Sequence, residues 1–207
     1  MTEVGAPAIN CVFTTDCIVT APVSRSTFAL PGTNGTATLL TRTFQGGLGA
    51  PAADKYGYRY QIDMANVTAG SSKTCVSAFS LDFGPVLTFA YRPDVPAQVY
   101  VVNAGGLGSI GPSSASISGK VVTFNFARPV CPGESSYFIG LTSSLGPLAV
   151  YNAVLAFSSG KSATVQTMVP AERVFRDLSS GRIRFSQPGG TTVAAPVAAA
   201  ATPRQRQ

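Results

Sequence analysis

The sequence predicts an all-β protein: an antiparallel β-sandwich of jelly-roll or Ig-like type, with about ten strands and one short C-terminal helix. Three observations carry this expectation. Of 207 residues only 12% are charged while 45% are hydrophobic, and 21 Gly and 15 Pro punctuate the chain, which suits short strands and tight turns. Apolar and polar residues alternate with a period of two in several stretches, most clearly over residues 55–64, KYGYRYQIDM. Turn signals such as Pro31-Gly32, Asn34-Gly35 and Gly84-Pro85 separate those stretches at short intervals.

Taken in order, residues 1–10 read as an N-terminal arm, 11–186 as a single sandwich domain and 187–207 as a flexible Ala/Pro-rich basic tail. A strand over 17–23 and one over 26–30 lead through the Asn34-Gly35 turn to a strand over 36–44, TATLLTRTF, making a hairpin. The loop Gly46-Gly47-Leu48-Gly49-Ala50-Pro51 interrupts the pattern before the tyrosine strand. There Tyr56, Tyr58, Tyr60 and Ile62 share one face, and Gly57, Arg59, Gln61 and Asp63 the other. Residues 75–83 put Phe79, Leu81 and Phe83 on one side, and 97–103, AQVYVVN, form a run suited to burial on both faces. Strands are also expected over 121–126, 137–141, 149–157 and 163–169. After Pro170, the side chains of Val174, Phe175 and Leu178, with Glu172 four residues before Arg176 and Gly181 beyond, predict a short helix. Residues 182–185 then add an edge strand guarded by arginines.

Cys11, Cys17, Cys75 and Cys131 contain no C-x-x-C pair, so zinc-ribbon and thioredoxin-like readings lack support. Of three connectivities, Cys11–Cys17 with Cys75–Cys131 is favoured, closing one short loop and joining two strand-like runs. Such bridges call for an oxidising compartment. The start, MTEVGAPAIN, shows no signal peptide and no run is long and apolar enough to span a bilayer, so either the protein stays inside the cell or Met1 follows a removed leader, and the cysteines favour the second. Localisation is read as extracellular or cell surface. Of the net charge of +6, residues 171–207 carry +4, but the arginines form no cluster and nucleic acid is not expected as a partner.

The chemical content is mostly negative. With no histidine, no Ser-His-Asp or Cys-His nucleophile and no imidazole metal site can be built. Two-carboxylate glycoside chemistry needs only acids, and Asp54, Asp63, Asp82, Asp94 and Glu134 are available, though none forms a spaced pair. Gly106, Gly108 and Gly111 match a dinucleotide fingerprint, yet no helical pattern follows to hold a pyrophosphate. Gly160-Lys161-Ser162 lacks the earlier glycine of a P-loop. No catalytic residue, metal or cofactor is therefore expected.

The segments TRTFQGGLGAPAADKYGYRYQID, SLDFGPV, VYVVNAGGLGSI and VCPGESSYFIGLTS together resemble a group of uncharacterised bacterial secreted proteins, over about residues 36–145. The resemblance implies a β-sandwich outside the cytoplasm and supplies no activity or site residues.

The expected function is a non-enzymatic binding module for carbohydrate or another extracellular polymer. Its candidate ligand-binding residues are Tyr56, Tyr58 and Tyr60, flat rings on one strand face, whose alternative role is plain core. Leu48 and Leu107, at the tips of two similar glycine loops, would add a rim. The alternative function is a self-assembling subunit of a surface layer, shell or filament, with the chain itself as partner and the tail reaching a neighbour.

Overall fold

In a computed structural model the described residues are 1–71, 73–93, 95–105, 108–147 and 149–171, together with the backbone of 173–177, 182–186 and 192–194. The chain is mostly strand, with almost no helix, and its larger sheets pack against each other.

The N-terminus is not a free arm. Thr2–Gly5 forms strand β1, which pairs in parallel with a later strand, and a single helical turn, α1 (Ala8–Cys11), follows and buries Ile9. Residues 17–22, expected to be extended, are irregular, and β2 begins only at Val23 and runs to Phe28. The short β3 (Thr33–Asn34) lies in the turn before β4 (Ala37–Gln45), and β2 and β4 make the expected antiparallel pair. The tyrosine strand is β5 (Tyr56–Asp63), and β6 (Thr68–Ala69) closes a two-stranded ribbon with β3. Next come β7 (Val76–Asp82), the hairpin β8 (Phe89–Arg92) and β9 (Val95–Ala97), and β10 (Val99–Ala104). The remaining strands of this unit are β11 (Ser114–Ser118), β12 (Val121–Val130), β13 (Phe138–Ser143), β14 (Ala149–Phe157) and β15 (Ser162–Val169).

These assemble into a six-stranded sheet, β1-β10-β13-β5-β4-β2, and a five-stranded sheet, β11-β12-β7-β14-β15. The period-two stripes meet between them. Leu39, Tyr58, Tyr60, Ile62, Ile139 and Leu141 from the first sheet share one buried cluster with Phe79, Leu81, Val122, Phe124, Leu155 and Val165 from the second. Two tyrosines enter this core because their hydroxyls find acceptors: Tyr58 Oη donates to the Leu145 carbonyl at 2.7 Å and Tyr60 Oη to the Met168 carbonyl at 2.8 Å. The Thr41 and Thr167 hydroxyls, 2.7 Å apart, link β4 to β15 in the same layer. As its composition suggests, β10 is buried on both faces from Val99 to Val102.

The sulfur atoms pair as the spacing favours, Cys11 with Cys17 and Cys75 with Cys131, their Cα atoms 4.0 and 4.3 Å apart. Cys75–Cys131 staples β7 to the end of β12, beside the irregularity after Asn125 that interrupts their ladder. Chain-entropy reasoning assigns this long closure about 4 kcal/mol and the short one about 2 kcal/mol. Two such bridges suit an oxidising setting. Among the described residues no helix is long and apolar enough to cross a membrane.

A second compact unit starts at Glu172. The helix expected after Pro170 is not formed: Arg173–Asp177 is a strand, β16, antiparallel to β17 (Arg182–Ser186), which also pairs with β18 (Thr192–Ala194). The segment over 182–186 is thus the middle of a three-stranded sheet, not an edge. The physical reason is partner availability. A helical Glu172–Arg176 pair contributes only about 0.2–0.5 kcal/mol, whereas β17 offers a complete ladder to a segment already rich in Val and Phe. Glu172, Leu178, Gly181 and the rest of the expected tail, apart from β18, lie outside the described residues.

Candidate functional site

The tyrosine platform is not available to a ligand. Tyr58 and Tyr60 are 0% and 1% exposed, and burial pushes both phenols well above their ordinary pKa. Only Tyr56, half-buried at the upper rim, keeps contact with water while its ring packs on the core. The alternation of β5 holds, but its tyrosine side faces the other sheet, because that side also carries Ile62 and pairs with Leu39 and Ile139. Leu48 stands almost wholly in solvent, and Leu107 lies outside the described residues. The two glycine loops dock on different segments: Gly47 donates to the Phe13 carbonyl, whereas Ser109 donates to the Ser135 carbonyl.

The opposite side of β5 is the more informative one. Along β4 and β5 the outward residues are Leu40, Arg42 and Phe44 against Gln61, Arg59 and Gly57, and on β2 Val23 and Arg25 continue the rows. This outer face is divided in two. Over β1, β10 and β13 it is covered by a second apolar cluster in which Val4, Ile9, Phe13, Tyr91, Tyr100 and Val102 are buried, with Phe44 and Phe138 packed against it. Side chains on Gly57 and Gly140 would overlap the rings of Phe44 and Tyr100, so glycine at these two positions lets the rings lie flat on the sheet.

At the boundary lies Arg59, only 6% exposed. Its guanidinium carbon is 4.9 Å from the Phe44 centroid and 5.7 Å from that of Tyr100. Arg59 Nε donates to Tyr100 Oη at 3.1 Å, and Nη2 donates to Asn10 Oδ1 at 2.8 Å. Beyond it the face is open, and a cleft of about 480 Å³ lies over β2, β4 and β5. Arg25, Leu40, Gln61 and Asp63 line it from the strands, and Ser109, Glu134 and Ser135 from loops.

The polar groups of this cleft are held in place. Ser135 Oγ donates to Asp63 Oδ1 at 2.7 Å, the Ala65 amide donates to the same oxygen at 3.1 Å, and Gln61 Nε2 donates to the Ser136 carbonyl at 2.8 Å. Glu134 accepts from Arg128 Nη1 and, at 2.9 Å, from the Cys131 amide. The hydrogen bond from Arg128, chiefly, holds the Glu134 carboxyl below the usual carboxylate range. Asp63 and Glu134, both named as candidate acids, thus reach one cleft, while Asp82 is exposed on the five-stranded sheet and Asp94 lies outside the described residues. Acid catalysis at a glycosidic bond needs a carboxyl with a raised pKa, and Glu134 is shifted in the opposite sense. Among the described residues no group of three metal-ligating side chains occurs.

The sequence does not mark Arg25, Arg42, Arg59 and Gln61 as a site. Their signal was present in the polar half of each alternating strand, but nothing in the sequence indicates that three arginines fall on neighbouring strands. Comparisons with protein-family models, curated proteins and solved structures returned no match for this chain.

Proposed function

We propose that the protein is a non-enzymatic, extracytoplasmic binding module for a carbohydrate or another extracellular polymer. The two packed sheets act as a rigid β-sandwich of jelly-roll or Ig-like type, and the open half of the six-stranded sheet's outer face is the binding surface. The observation that carries this reading is the cleft over β2, β4 and β5, lined together by Arg25, Gln61, Asp63, Ser109 and Ser135. Polar groups held in place, as Gln61, Asp63 and Ser135 are, suit a hydroxyl-rich ligand, since they are already oriented when it arrives. The depressed pKa of Glu134 disfavours it as the proton donor that glycoside hydrolysis requires. The disulfides and the resemblance over residues 36–145 support a place outside the cytoplasm.

The test is retention on immobilised polysaccharides, comparing the wild-type chain with Arg25→Ala. Loss of a charged hydrogen bond of about 1.5–3 kcal/mol predicts roughly ten- to hundredfold weaker binding. Retention on none of a broad set of polysaccharides would end the proposal.

A second reading, self-assembly into a layer or filament, is favoured by one specific feature. The outward row Ser116, Thr123, Ser80, Val154 and Thr164 crosses all five strands of the other sheet without a charge. Val121, Val150 and Val154 are exposed on the same sheet. Sheet faces poor in charge are suited to mating with a copy. Light scattering of the full chain should then report a large particle, and Val154→Lys should return it to monomer. A monomeric wild type at all concentrations removes this reading.

A further inference from the structure

Arg42 and Arg59 stand directly opposite each other on β4 and β5 and point to the same outer face. Like charges in that position repel, so an isolated sheet gains nothing from the pair. Neither is neutralised. The partners of Arg59 are an amide oxygen, a phenol and two aromatic rings, all uncharged. Arg42 Nε is buried and has no hydrogen-bond partner. Among the described residues the one ion pair is Arg128–Glu134, which involves neither arginine.

A buried donor without an acceptor is uncommon and calls for an explanation. An anionic acceptor at this face would supply one, because the two adjacent cations have no charged partner among the described residues. Burial and then the nearby Arg59 charge lower the pKa of Arg42, as expected of a cation held without a counter-ion. The guanidinium fork presents paired N–H groups that match the oxygens of a carboxylate or sulfate. Arg59 is already immobilised by Asn10, Tyr100 and Phe44, so little ordering remains to be done when an anion arrives. Arg25, one pleat along on β2, lines the adjoining cleft and adds a third cation to the same face.

We propose that Arg42 and Arg59 form an oxyanion site, and that the polymer taken by this face is an acidic polysaccharide bearing carboxylate or sulfate groups. The inference rests on the binding-module reading above and names its ligand class.

The experiment uses the full chain, wild type and Arg42→Gln, with two readouts. In the first, polygalacturonate, dextran sulfate, uncharged dextran and duplex DNA are immobilised and binding is measured at fixed salt. In the second, Tm is measured in sulfate and in chloride at equal ionic strength. Arg42→Gln is preferred to a change at Arg59, whose buried contacts also hold the second cluster together. The expected result is at least tenfold tighter binding to one of the acidic polysaccharides than to dextran, with at least a tenfold loss in Arg42→Gln. The choice between polygalacturonate and dextran sulfate tells carboxylate from sulfate. Sulfate should raise the wild-type Tm more than that of Arg42→Gln, and without sulfate the variant should melt no lower than wild type. Binding to dextran that Arg42→Gln leaves unchanged overturns the inference while the binding-module reading stands. A sulfate effect that depends on Arg42, without binding to any polysaccharide, keeps the anion site and removes the polymer. Preference for DNA, or an Arg42→Gln protein that melts well below wild type in chloride, overturns the proposal.

Discussion

Raising the pH above about 10 should unfold this protein steeply. Tyr58, Tyr60, Tyr91 and Tyr100 all have their phenols pushed up, first by burial in each case. For Tyr100 the nearby Arg59 charge opposes that shift, and for Tyr91 its hydrogen bond with Thr142 does so. A phenol whose pKa is higher in the folded state than in the unfolded one binds its proton more tightly when folded. The stabilisation is fully present below the unfolded pKa of about 10 and is lost as pH rises above it, because the unfolded chain releases protons that the native state retains. Each group contributes a limiting slope of about 1.4 kcal/mol per pH unit while the pH lies between its unfolded and folded pKa, and four together at most about 5 kcal/mol. Domains of this size are stable by only about 5–15 kcal/mol, so one to three pH units are enough. Denaturant unfolding at stepped alkaline pH should show this fall, with phenolate absorbance from the four groups appearing together with loss of sheet signal. Stability that stayed flat to about pH 12 would mean that these phenols reach water without unfolding.

The second large effect is expected from Tyr60→Ala. The ring sits 5.7 Å from that of Phe79 on the facing sheet, and its hydroxyl reaches the Met168 carbonyl of β15. Truncating a buried aromatic ring costs about 3–5 kcal/mol, and leaving a buried carbonyl without its donor adds about 1–3 kcal/mol. With Tm moving by about 2–4 °C per kcal/mol at this size, a fall of roughly 10 °C or more is expected in a thermal melt. Tyr60→Phe should recover the packing and lose only the hydrogen bond. Tyr56→Ala, at the rim, should cost far less than either. Loss of polymer binding by the Tyr60→Ala chain would therefore report unfolding, and only an unchanged Tm together with lost binding would restore the tyrosine as a ligand contact.

The contrast between Tyr60 and Arg59 shows how far alternation reaches. Two adjacent residues of one strand must point to opposite faces, which is legible in any strand of the pattern KYGYRYQID. Which face is enclosed depends on what lies opposite, and here both are enclosed in part. Tyr60 meets the second sheet, while Arg59 is covered by Asn10, Phe44 and Tyr100, three residues from three distant segments. The same limit explains 173–177. Its local pattern permits a helix, and the partner that makes it a strand is supplied by the later segment Arg182–Ser186. Strand β1 was invisible for a related reason, since a four-residue edge strand acquires its ladder from β10, a hundred residues away in the chain.

By itself the sequence determined what depends on local composition and spacing. It marked a β-rich chain, the tyrosine strand, the β2–β4 hairpin, the double burial of β10 and the favoured cysteine pairing, and it showed that imidazole chemistry is unavailable. Only the tertiary structure decided which side of each strand is core, where the N-terminus docks, and that Arg25, Arg42 and Arg59 lie on the same outer side of the six-stranded sheet. The reason is physical: backbone alternation is set residue by residue, whereas register and sheet packing are set by partners distant in sequence, and a binding surface is made of what those partners leave uncovered.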